Sequence, residues 1–504
     1  MAGASVVALL FSELIALGQT VALARLLSPA EVGLFVAGGV LTTFVTNFVE
    51  GGLRSGLIHR DGDLDDAAAT VFWATLGTGA AMSVLALAAA PLVGHVFDSR
   101  TAGLVAAAMS GGLLLYALTN VPEALLQREF SVRRRLIVGP AVSATFAAVS
   151  VTAAALGLGV WSMVVGSYAS SVVWVLTLWW ICDWRPRRGR PSFPIWRQLA
   201  RFGFPLVLGM IGDRAQKSVE AVVTGKVLGA GDLGLLRYAE RIGRIPVMVL
   251  VETGSVSLFP AFTRLARERG RFQAAYLQAL RLSVAVAAAM TALIVAVGIP
   301  LVVVVLGEEW RGAGEALVAM AGLGLGKSMM IVGEEAIKGA GRTRLLNRFT
   351  VAETLLSVVL LLALIGPLGL VGVGLSISLT ALVLGVVVTG TAAPVVGVTW
   401  RQTSRAAVPA MVAALLGYVL VAVPARFALR AGDGGPWALA SIAAVCVVFL
   451  ALYGVGLRFL APATFRDLTA LAAAVRRRIP GRGAPSEPEP VRSRDHLSSS
   501  NNAS

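Results

Sequence analysis

The sequence predicts an all-α polytopic membrane protein with about fourteen transmembrane helices. Of its 504 residues, 57% are hydrophobic and only 14% are charged, whereas about 25% are charged in an average soluble domain. Apolar runs of about 20 residues, the length that spans a bilayer as a helix, recur along the chain. Basic residues concentrate in alternate loops, as membrane topology requires. This composition excludes a water-soluble enzyme, and we expect no enzymatic activity.

A hydropathy window of about 19 residues identifies the spans. The N-terminus, MAGASVVALL, lacks the basic stretch of a signal peptide, so the first apolar run is kept as a span. The predicted spans cover residues 5–24, 32–52, 70–94, 102–121, 137–157, 160–182, 202–225, 233–257, 282–305, 314–335, 349–366, 368–394, 407–424 and 437–457.

The basic residues predict which loops face the cytoplasm. One alternating set of loops holds 23 Lys and Arg residues, and the other set, including flanking helix ends, holds 7. The first set, with both termini, is therefore predicted to be cytoplasmic. The net charge of +15 then reflects topology, with anionic membrane lipids as its partner and no nucleic acid. Arg outnumbers Lys 39 to 4, which indicates the genome of a GC-rich bacterium. We therefore expect the protein to lie in a bacterial cell membrane.

The C-terminal tail is predicted to be cytoplasmic from residue 461 to 504. Residues 464–479 are predicted to form a short amphipathic helix whose Arg476, Arg477 and Arg478 face lipid headgroups. After about residue 480 the chain is polar and rich in Pro and Ser, which predicts disorder.

No cofactor or metal site is expected. Cys182 and Cys446 lie in apolar runs, and the three histidines are scattered. The segment AGLGLGKS at 321–328 matches a relaxed phosphate-loop pattern, but it falls inside a predicted span rather than after a strand. Its glycines are therefore interpreted as sites of close helix packing.

An internal repeat relates the two halves of the chain. ARLLSPAEVGLF (24–35) resembles GKVLGAGDLGLL (225–236) at an offset of 201 residues. In the first copy, Ser28 and Glu31 form the pattern of a capping box, with Pro29 at the first helical position. Asp232 occupies the place of Glu31 in the second copy. Further matches between 90–97 and 299–306, and around Arg134 and Arg344, follow in the same order.

The repeat predicts two six-helix lobes related by a pseudo-two-fold axis along the membrane normal, with a cavity between them. Two matched lobes around a cavity are typical of alternating access. The predicted organisation is an N-lobe over 1–182, a basic cytoplasmic linker over 183–201, a C-lobe over 202–398, two further helices over 399–460, and the tail over 461–504.

Several predicted spans contain ionisable residues, although each costs about 2.5–3.5 kcal/mol at the centre of a bilayer. Regular spacing puts those of 202–225 on one helical face and those of 233–257 on another. One interpretation is a hydrated cavity that binds an anionic headgroup, because Arg binds phosphate through two parallel hydrogen bonds and Lys acts as a point charge. The other is internal pairing, since Glu240 with Arg244 and Asp213 with Lys217 have i,i+4 spacing.

In the cavity interpretation, five bases hold the phosphate or acidic sugars: Arg214, Lys217, Arg241, Arg244 and Lys327. Five acids tune these bases or couple H⁺ or Na⁺: Glu13, Asp213, Glu220, Glu240 and Glu252. Other polar residues within the spans are Gln19, Asn47 and Arg237.

Four segments resemble the bacterial polysaccharide (Wzx-type oligosaccharide) flippases of the MOP superfamily. They are ARLLSPAEVGLF, GLRSGLIHRDGDLDDAAATVFW (52–73), ALLQREFSVRRRLIV (124–138) and FPAFTRLARERGRFQAAYLQALRL (259–282). The resemblance covers about residues 5–400, and its motifs mark loops and helix starts rather than a substrate site.

The resemblance implies a bilobal bundle that moves an undecaprenyl-diphosphate-linked oligosaccharide from the inner to the outer leaflet, for lipopolysaccharide or exopolysaccharide biosynthesis. It also implies a lipid-linked oligosaccharide as substrate, and glycan-assembly proteins are further candidate partners. The alternatives are a cation-coupled drug or metabolite exporter of the MATE type, a lipid II flippase, and a non-transporting membrane scaffold. Deep Arg and Lys residues favour the flippase over the exporter.

Overall fold

The computed structural model describes most of the chain. It covers residues 2–60, 62, 64–129, 131, 134–430 and 436–478, although side chains within some helical stretches lie outside the description. The predicted disorder after residue 480 therefore lies outside the described residues.

The described residues form helices and connecting turns, with no strand among them. The α-helices are α1 (Ala2–Leu26), α2 (Pro29–Glu50), α3 (Leu53–His59), α4 (Leu64–Val96), α5 (Arg100–Met109), α6 (Gly112–Arg128), α7 (Gly139–Ala155), α8 (Val160–Ile181), α9 (Phe193–Val227), α10 (Ala230–Leu265), α11 (Arg269–Leu306), α12 (Arg311–Ala319), α13 (Gly322–Gly339), α14 (Arg344–Val396), α15 (Trp400–Arg430), α16 (Pro436–Leu460) and α17 (Pro462–Arg478).

The predicted all-α membrane bundle is confirmed. Among the described residues, 10 helical segments are long and apolar enough to cross a membrane. One of them, α14, contains two predicted spans whose boundary at residue 367 lies two residues before Gly369, where φ is +56° and the helix breaks. The remaining predicted spans coincide with α1, α9 and α10, and the last two are interrupted by charged residues. The fourteen predicted spans thus each have a helix.

Several helices extend beyond the predicted spans. Helix α9 begins at Phe193, within the predicted linker, with Ser192 before it and Pro194 in its first turn. Proline is favoured there because its fixed φ suits the helix and its missing N–H would be unpaired anyway. Hydropathy detects only the apolar part of such a helix, whereas the backbone hydrogen bonds continue past it.

The capping box at the start of α2 is confirmed. The Ser28 backbone N–H donates to Glu31 Oε2 at 2.8 Å, and the Glu31 N–H donates to Ser28 Oγ at 3.4 Å. In the second repeat, Asp232 lies in the first turn of α10, which begins at Ala230. Both repeats therefore place a carboxylate at the positive end of the equivalent helix.

The two lobes meet where these equivalent helices begin. A Cβ atom on Gly33 would lie 1.6 Å from the Ala230 carbonyl oxygen, and one on Gly234 would lie 2.0 Å from the Pro29 carbonyl oxygen. The two glycines are equivalent in the repeat, and so are Pro29 and Ala230. Such a reciprocal contact, in which each copy presents the same surface, is what a two-fold axis produces.

Polar contacts on both sides of this axis join the lobes at the predicted outer end. Arg25, at the end of α1, donates to the carbonyls of Val304 (2.7 Å) and Val305 (3.1 Å) at the end of α11. Its repeat equivalent, Lys226, forms an ion pair with Asp98, which follows α4, at 3.1 Å. Each lobe therefore contributes one base that reaches the other lobe. We call these two contacts the outer latch.

The C-terminal helices pack beside the predicted C-lobe. On α16, Tyr453 donates its hydroxyl to the Ala285 carbonyl of α11 at 2.8 Å. The predicted amphipathic helix is observed as α17, and its Asp467 forms an ion pair with Arg281 of α11 at 3.2 Å. The side chains of Arg476, Arg477 and Arg478 lie outside the described residues.

The glycines of AGLGLGKS serve helix packing, as predicted. The segment spans the junction of α12 and α13 and the start of α13. A Cβ atom on Gly326 would lie 2.2 Å from the Ala381 carbonyl carbon of α14. No strand precedes the segment in this described region, so the geometry of a phosphate loop is missing.

Removal of the outer latch is expected to open the predicted outer end. In the Arg25→Ala/Lys226→Ala variant, the loss of about 1–2 kcal/mol of interlobe contact shifts the lobe equilibrium by about 5- to 30-fold. The reporter is Leu23→Cys, a fully buried position, in a background with Cys182→Ala and Cys446→Ala. Its rate of modification by a membrane-impermeant maleimide should rise accordingly.

The control for this experiment is Arg311→Ala, which removes an ion pair to Glu308 within one loop segment. Equal reaction rates in the latch variant and the control would show that the latch does not hold the lobes together.

Candidate functional site

A polar cavity of about 380 Å³ lies within the predicted C-lobe, between α9, α10, α13 and α14. Its wall combines charged groups with uncharged polar groups and an apolar floor. The charged lining residues are Lys217, Glu220, Glu240, Arg244, Lys327, Glu334 and Glu353. The uncharged polar ones are Gln216, Ser357 and Thr380. Five of the ten residues assigned from the sequence are therefore brought together here.

Helical spacing explains how each helix supplies its charges. On α9, Lys217 and Glu220 are three residues apart, and on α10, Glu240 and Arg244 are four apart, so each pair shares one helical face. Helix α13 adds Lys327 one turn from its start. The cavity forms where these faces meet. The sequence of a single helix does not predict which faces of different helices come together.

The Glu240 carboxylate accepts from two arginines of its own helix. Arg244 Nη2 and Arg237 Nη1 each lie 3.4 Å from a Glu240 carboxylate oxygen. The predicted i,i+4 pairing of Glu240 with Arg244 is confirmed. The distances exceed the 2.7–2.9 Å or so of a strong charge-assisted bond. The Arg244 side chain stays 44% exposed, so it is both paired and open to the cavity.

Glu220 is a deeply placed carboxyl group in the cavity wall. The residue is 9% exposed, and its carboxyl group lies within hydrogen-bonding reach of Glu240. Two carboxyl groups can form a hydrogen bond only when one of them carries a proton. Helices α9 and α10 therefore place two neighbouring carboxyl groups in one cavity wall.

Lys327 has a partner that sequence reasoning missed. Its Nζ lies 2.5 Å from Glu353 Oε1 on α14. Glu353 and a second lining residue, Glu334, both fall within predicted spans (349–366 and 314–335). Their position inside apolar segments was the signal that could have identified them.

Thr380 contributes an unsatisfied group to the cavity. The residue is 3% exposed, lines the cavity, and its hydroxyl has no hydrogen-bond partner among the described residues. A buried polar atom without a partner costs about 1–3 kcal/mol, and a water or a ligand oxygen in the cavity can supply the missing hydrogen bond.

Other predicted site residues lie away from this cavity. Arg241 Nη2 donates to the Ala16 carbonyl of α1 at 3.0 Å, which joins the two lobes. Glu13, on the same helix as Ala16, is exposed and close enough to interact electrostatically with Arg241. Arg214 is exposed on α9 and is not among the residues lining the cavity.

The sequence placed four further polar residues within spans, and the structure describes the side chain of one of them. Gln19 is buried on α1. The side chains of Asp213, Glu252 and Asn47 lie outside the described residues, although their backbones belong to α9, α10 and α2. The predicted pairing of Asp213 with Lys217 and the roles of Asp213 and Glu252 remain predictions.

A second charged cluster stabilises the predicted inner end of the N-lobe. The nearly buried Glu123 of α6 accepts from Arg54 of α3 at 3.3 Å and from Arg134. Arg134 is the residue that the repeat comparison paired with Arg344. These contacts fix the short helix α3 to α6 and account for part of the ALLQREFSVRRRLIV segment.

Another crevice lies at the predicted outer end and has fewer ionisable lining residues than the C-lobe cavity. It has a volume of about 580 Å³ between the end of α4 and the start of α5, and it includes Pro91, His95 and Arg100. Its Asp98 is engaged by Lys226. The cavity in the predicted C-lobe, with seven ionisable lining residues, is therefore the candidate site.

Proteins of surface-polysaccharide pathways are similar in sequence to this chain. The succinoglycan biosynthesis transport protein ExoT of Rhizobium meliloti (strain 1021) is 26% identical over 293 residues, which cover 58% of this chain and 59% of that protein. The lipopolysaccharide biosynthesis protein WzxC of Escherichia coli (strain K12) is 22% identical over 341 residues, or 67% of this chain and 69% of that protein. The match to ExoT thus spans about three fifths of that relative's length.

Solved transporter structures share the fold. The inward closed conformation of the lipid II flippase MurJ superposes with a TM-score of 0.72 at 14% identity, covering 90% of this chain and 98% of that one. An inward-facing multidrug resistance MATE family transporter of the MOP superfamily gives a TM-score of 0.65 at 18% identity, covering 77% and 94%. At these identities, the likeness shows the fold alone.

The sequence profile that describes polysaccharide biosynthesis proteins matches residues 22–315, more than half of the chain. This match covers most of the predicted N-lobe, the linker, and the helices α9, α10 and α11 up to the start of α12. The chain therefore belongs to the polysaccharide biosynthesis protein family.

Proposed function

We propose that this protein is a flippase that moves a lipid-linked, anionic glycan precursor from the inner to the outer leaflet of a bacterial cytoplasmic membrane. The substrate class is an undecaprenyl-diphosphate-linked oligosaccharide. The supporting observation is a cavity of paired charges inside an otherwise apolar two-lobed helical bundle. In this proposal the lobes alternate between openings to either side, both termini are cytoplasmic, and the protein is a transporter rather than an enzyme.

The cost of the charges supports a role in transport. Each ionisable group at bilayer depth costs about 2.5–3.5 kcal/mol, so groups without a function there are rare. Lys217, Arg244 and Lys327 bring three bases to one cavity. Arg244 is suited to two parallel hydrogen bonds with a phosphate, and the two lysines supply point charges. This set matches a diphosphate.

The cavity volume indicates which part of the substrate it binds. Small-molecule sites commonly measure about 300–1,000 Å³, and this cavity lies at the lower end of that range. It therefore suits the diphosphate and the first sugar. In the proposal the other sugars pass between the lobes, and the polyprenyl tail stays in the bilayer.

The names of the relatives agree with this substrate class. ExoT is named as a succinoglycan biosynthesis transport protein, and WzxC as a lipopolysaccharide biosynthesis protein. By extension to this chain, the partners are a lipid-linked oligosaccharide and the proteins that assemble it. The coupling ion is H⁺ or Na⁺.

A cation exporter of the MATE type is the second candidate. One observation favours it: four carboxyl groups line the cavity, against three bases. A cavity with excess negative charge suits a cationic drug. The proximity of Lys217, Arg244 and Lys327 favours the anionic substrate instead.

Arg244→Gln is expected to lower the transport of undecaprenyl-diphosphate oligosaccharide across reconstituted liposomes by about 10- to 100-fold. The loss corresponds to about 1.5–3 kcal/mol for a hydrogen bond to a charged group. The matched control is Arg237→Gln. Both arginines lie 3.4 Å from Glu240, but only Arg244 lines the cavity.

Equal losses in the two arginine variants would assign the effect to the release of Glu240 rather than to substrate binding. If the wild type moves no glycan lipid but exports a cationic dye down an ion gradient, the exporter is the correct function.

Variants of the Lys327–Glu353 pair should distinguish an effect on stability from an effect on transport. Lys327→Gln leaves Glu353 without its partner and is expected to lower the apparent Tm by several degrees. The double variant Lys327→Gln/Glu353→Gln should recover the Tm, because neither charge is then unpaired. Its transport rate should stay about 10-fold below that of the wild type, because the base that binds the headgroup is missing.

The control pair for this experiment is Lys338 and Glu335, which lie 2.8 Å apart on the same helix and outside the cavity lining. The double variant Lys338→Gln/Glu335→Gln should keep its transport rate. Full transport by the Lys327→Gln/Glu353→Gln protein would reduce that pair to a structural role.

A further inference from the structure

The charge balance of the cavity limits what it can bind. Seven ionisable side chains line it, four acidic and three basic. With all of them ionised, the lining carries one excess negative charge, which Arg237 beside Glu240 balances. A diphosphate headgroup would then add at least one negative charge that no base offsets. In a region of low dielectric, uncompensated charge of one sign is costly, so an anionic ligand needs a cation beside it.

The Glu220–Glu240 pair is the place where a cation fits. The two carboxyl groups line the same cavity and lie close enough to share a proton in a hydrogen bond. The charged groups around the pair come from every helix of the cavity. Helix α9 supplies Lys217, α10 supplies Arg237 and Arg244, α13 supplies Lys327 and Glu334, and α14 supplies Glu353.

Arg244 links this carboxyl pair to the ligand. It lies 3.4 Å from Glu240 and also lines the cavity. When an anionic headgroup takes the hydrogen bonds of Arg244, Glu240 loses part of the positive charge that stabilises its ionised form. Protonation of the pair then becomes more favourable. By linkage, protonation favours binding of the headgroup by the same factor.

Two other observations bear on the ligand. The Thr380 hydroxyl, buried and without a partner among the described residues, lines the same cavity and can donate a hydrogen bond to a phosphate oxygen. Within the described part of the chain, no group of three or more His, Cys, Asp or Glu side chains is placed to hold a metal ion. A proton needs only the two carboxyl groups, which can share it in a hydrogen bond, so we assign a proton rather than Na⁺ to the pair.

We propose that the cavity binds its anionic headgroup together with one proton, which is held by the Glu220–Glu240 carboxyl pair. The inference rests on the proposed function. It adds that binding of the headgroup and binding of the proton strengthen each other. The headgroup and the proton bind to the same conformation of the protein, and each raises the affinity for the other, so they do not compete for the cavity.

The test is calorimetric titration of the full chain in nanodiscs with farnesyl diphosphate, a soluble lipid diphosphate. Titration in two buffers with different ionisation enthalpies gives the number of protons taken up. At a pH above the titration of the ligand-free pair, we expect the wild type to take up about one proton more than the Glu220→Gln variant. Taking the difference between the two proteins cancels the protons that the ligand itself binds or releases. Above the titration of the pair, wild-type affinity should fall about tenfold per pH unit, and that of Glu220→Gln should fall less.

Glu335→Gln is the matched control. Glu335 is a buried glutamate on α13, paired with Lys338 and outside the cavity lining, so this variant should take up protons like the wild type. If the wild type binds farnesyl diphosphate with no net proton uptake at any pH, the inference is overturned. This result needs the wild-type protein alone. Binding that requires Na⁺ at constant pH would overturn the inference as well.

The outcomes also separate this inference from the proposed function. Binding without linked proton uptake contradicts only the coupling. If neither the wild type nor any variant binds the diphosphate at any pH, both the proposed substrate class and the inference fail.

Discussion

The lack of water in the bilayer core is the constraint on which this structure depends. A charged group there must find a partner within the protein, because the lipid offers none. The pairs of Lys327 with Glu353 and of Arg244 with Glu240 satisfy that requirement inside the bundle. Both pairs border one cavity, so their side chains are stabilised without being removed from a ligand's reach.

The two lobes are joined by contacts that follow the repeat. Gly33 and Gly234 allow the first turns of α2 and α10 to touch, and Arg25 and Lys226 each reach across to the opposite lobe. An apolar cluster crosses the same boundary, with Leu23 and Val32 on the predicted N-lobe and Trp310 on the predicted C-lobe. Alternating access requires polar and apolar contacts of this kind to separate and re-form.

The charges at the site explain why internal pairing and ligand binding are compatible here. The sequence left them as alternatives, yet Arg244 is paired with Glu240 at 3.4 Å, lines the cavity and keeps 44% of its side chain exposed. Arg241, by contrast, donates a hydrogen bond to a backbone carbonyl of α1. Two arginines one turn apart on the same helix therefore differ in role because of what lies opposite each of them.

The sequence by itself determined the number of spans, the repeat, the capping of α2 and the helical faces that carry charge, because hydropathy and spacing are local properties. It also placed Glu220 and Lys327 correctly within spans. Only the tertiary structure decided that Lys327 pairs with Glu353 and that Arg214 lies outside the cavity lining. Those facts depend on which faces of separate helices meet, and packing between distant segments leaves no periodic signal in any one of them.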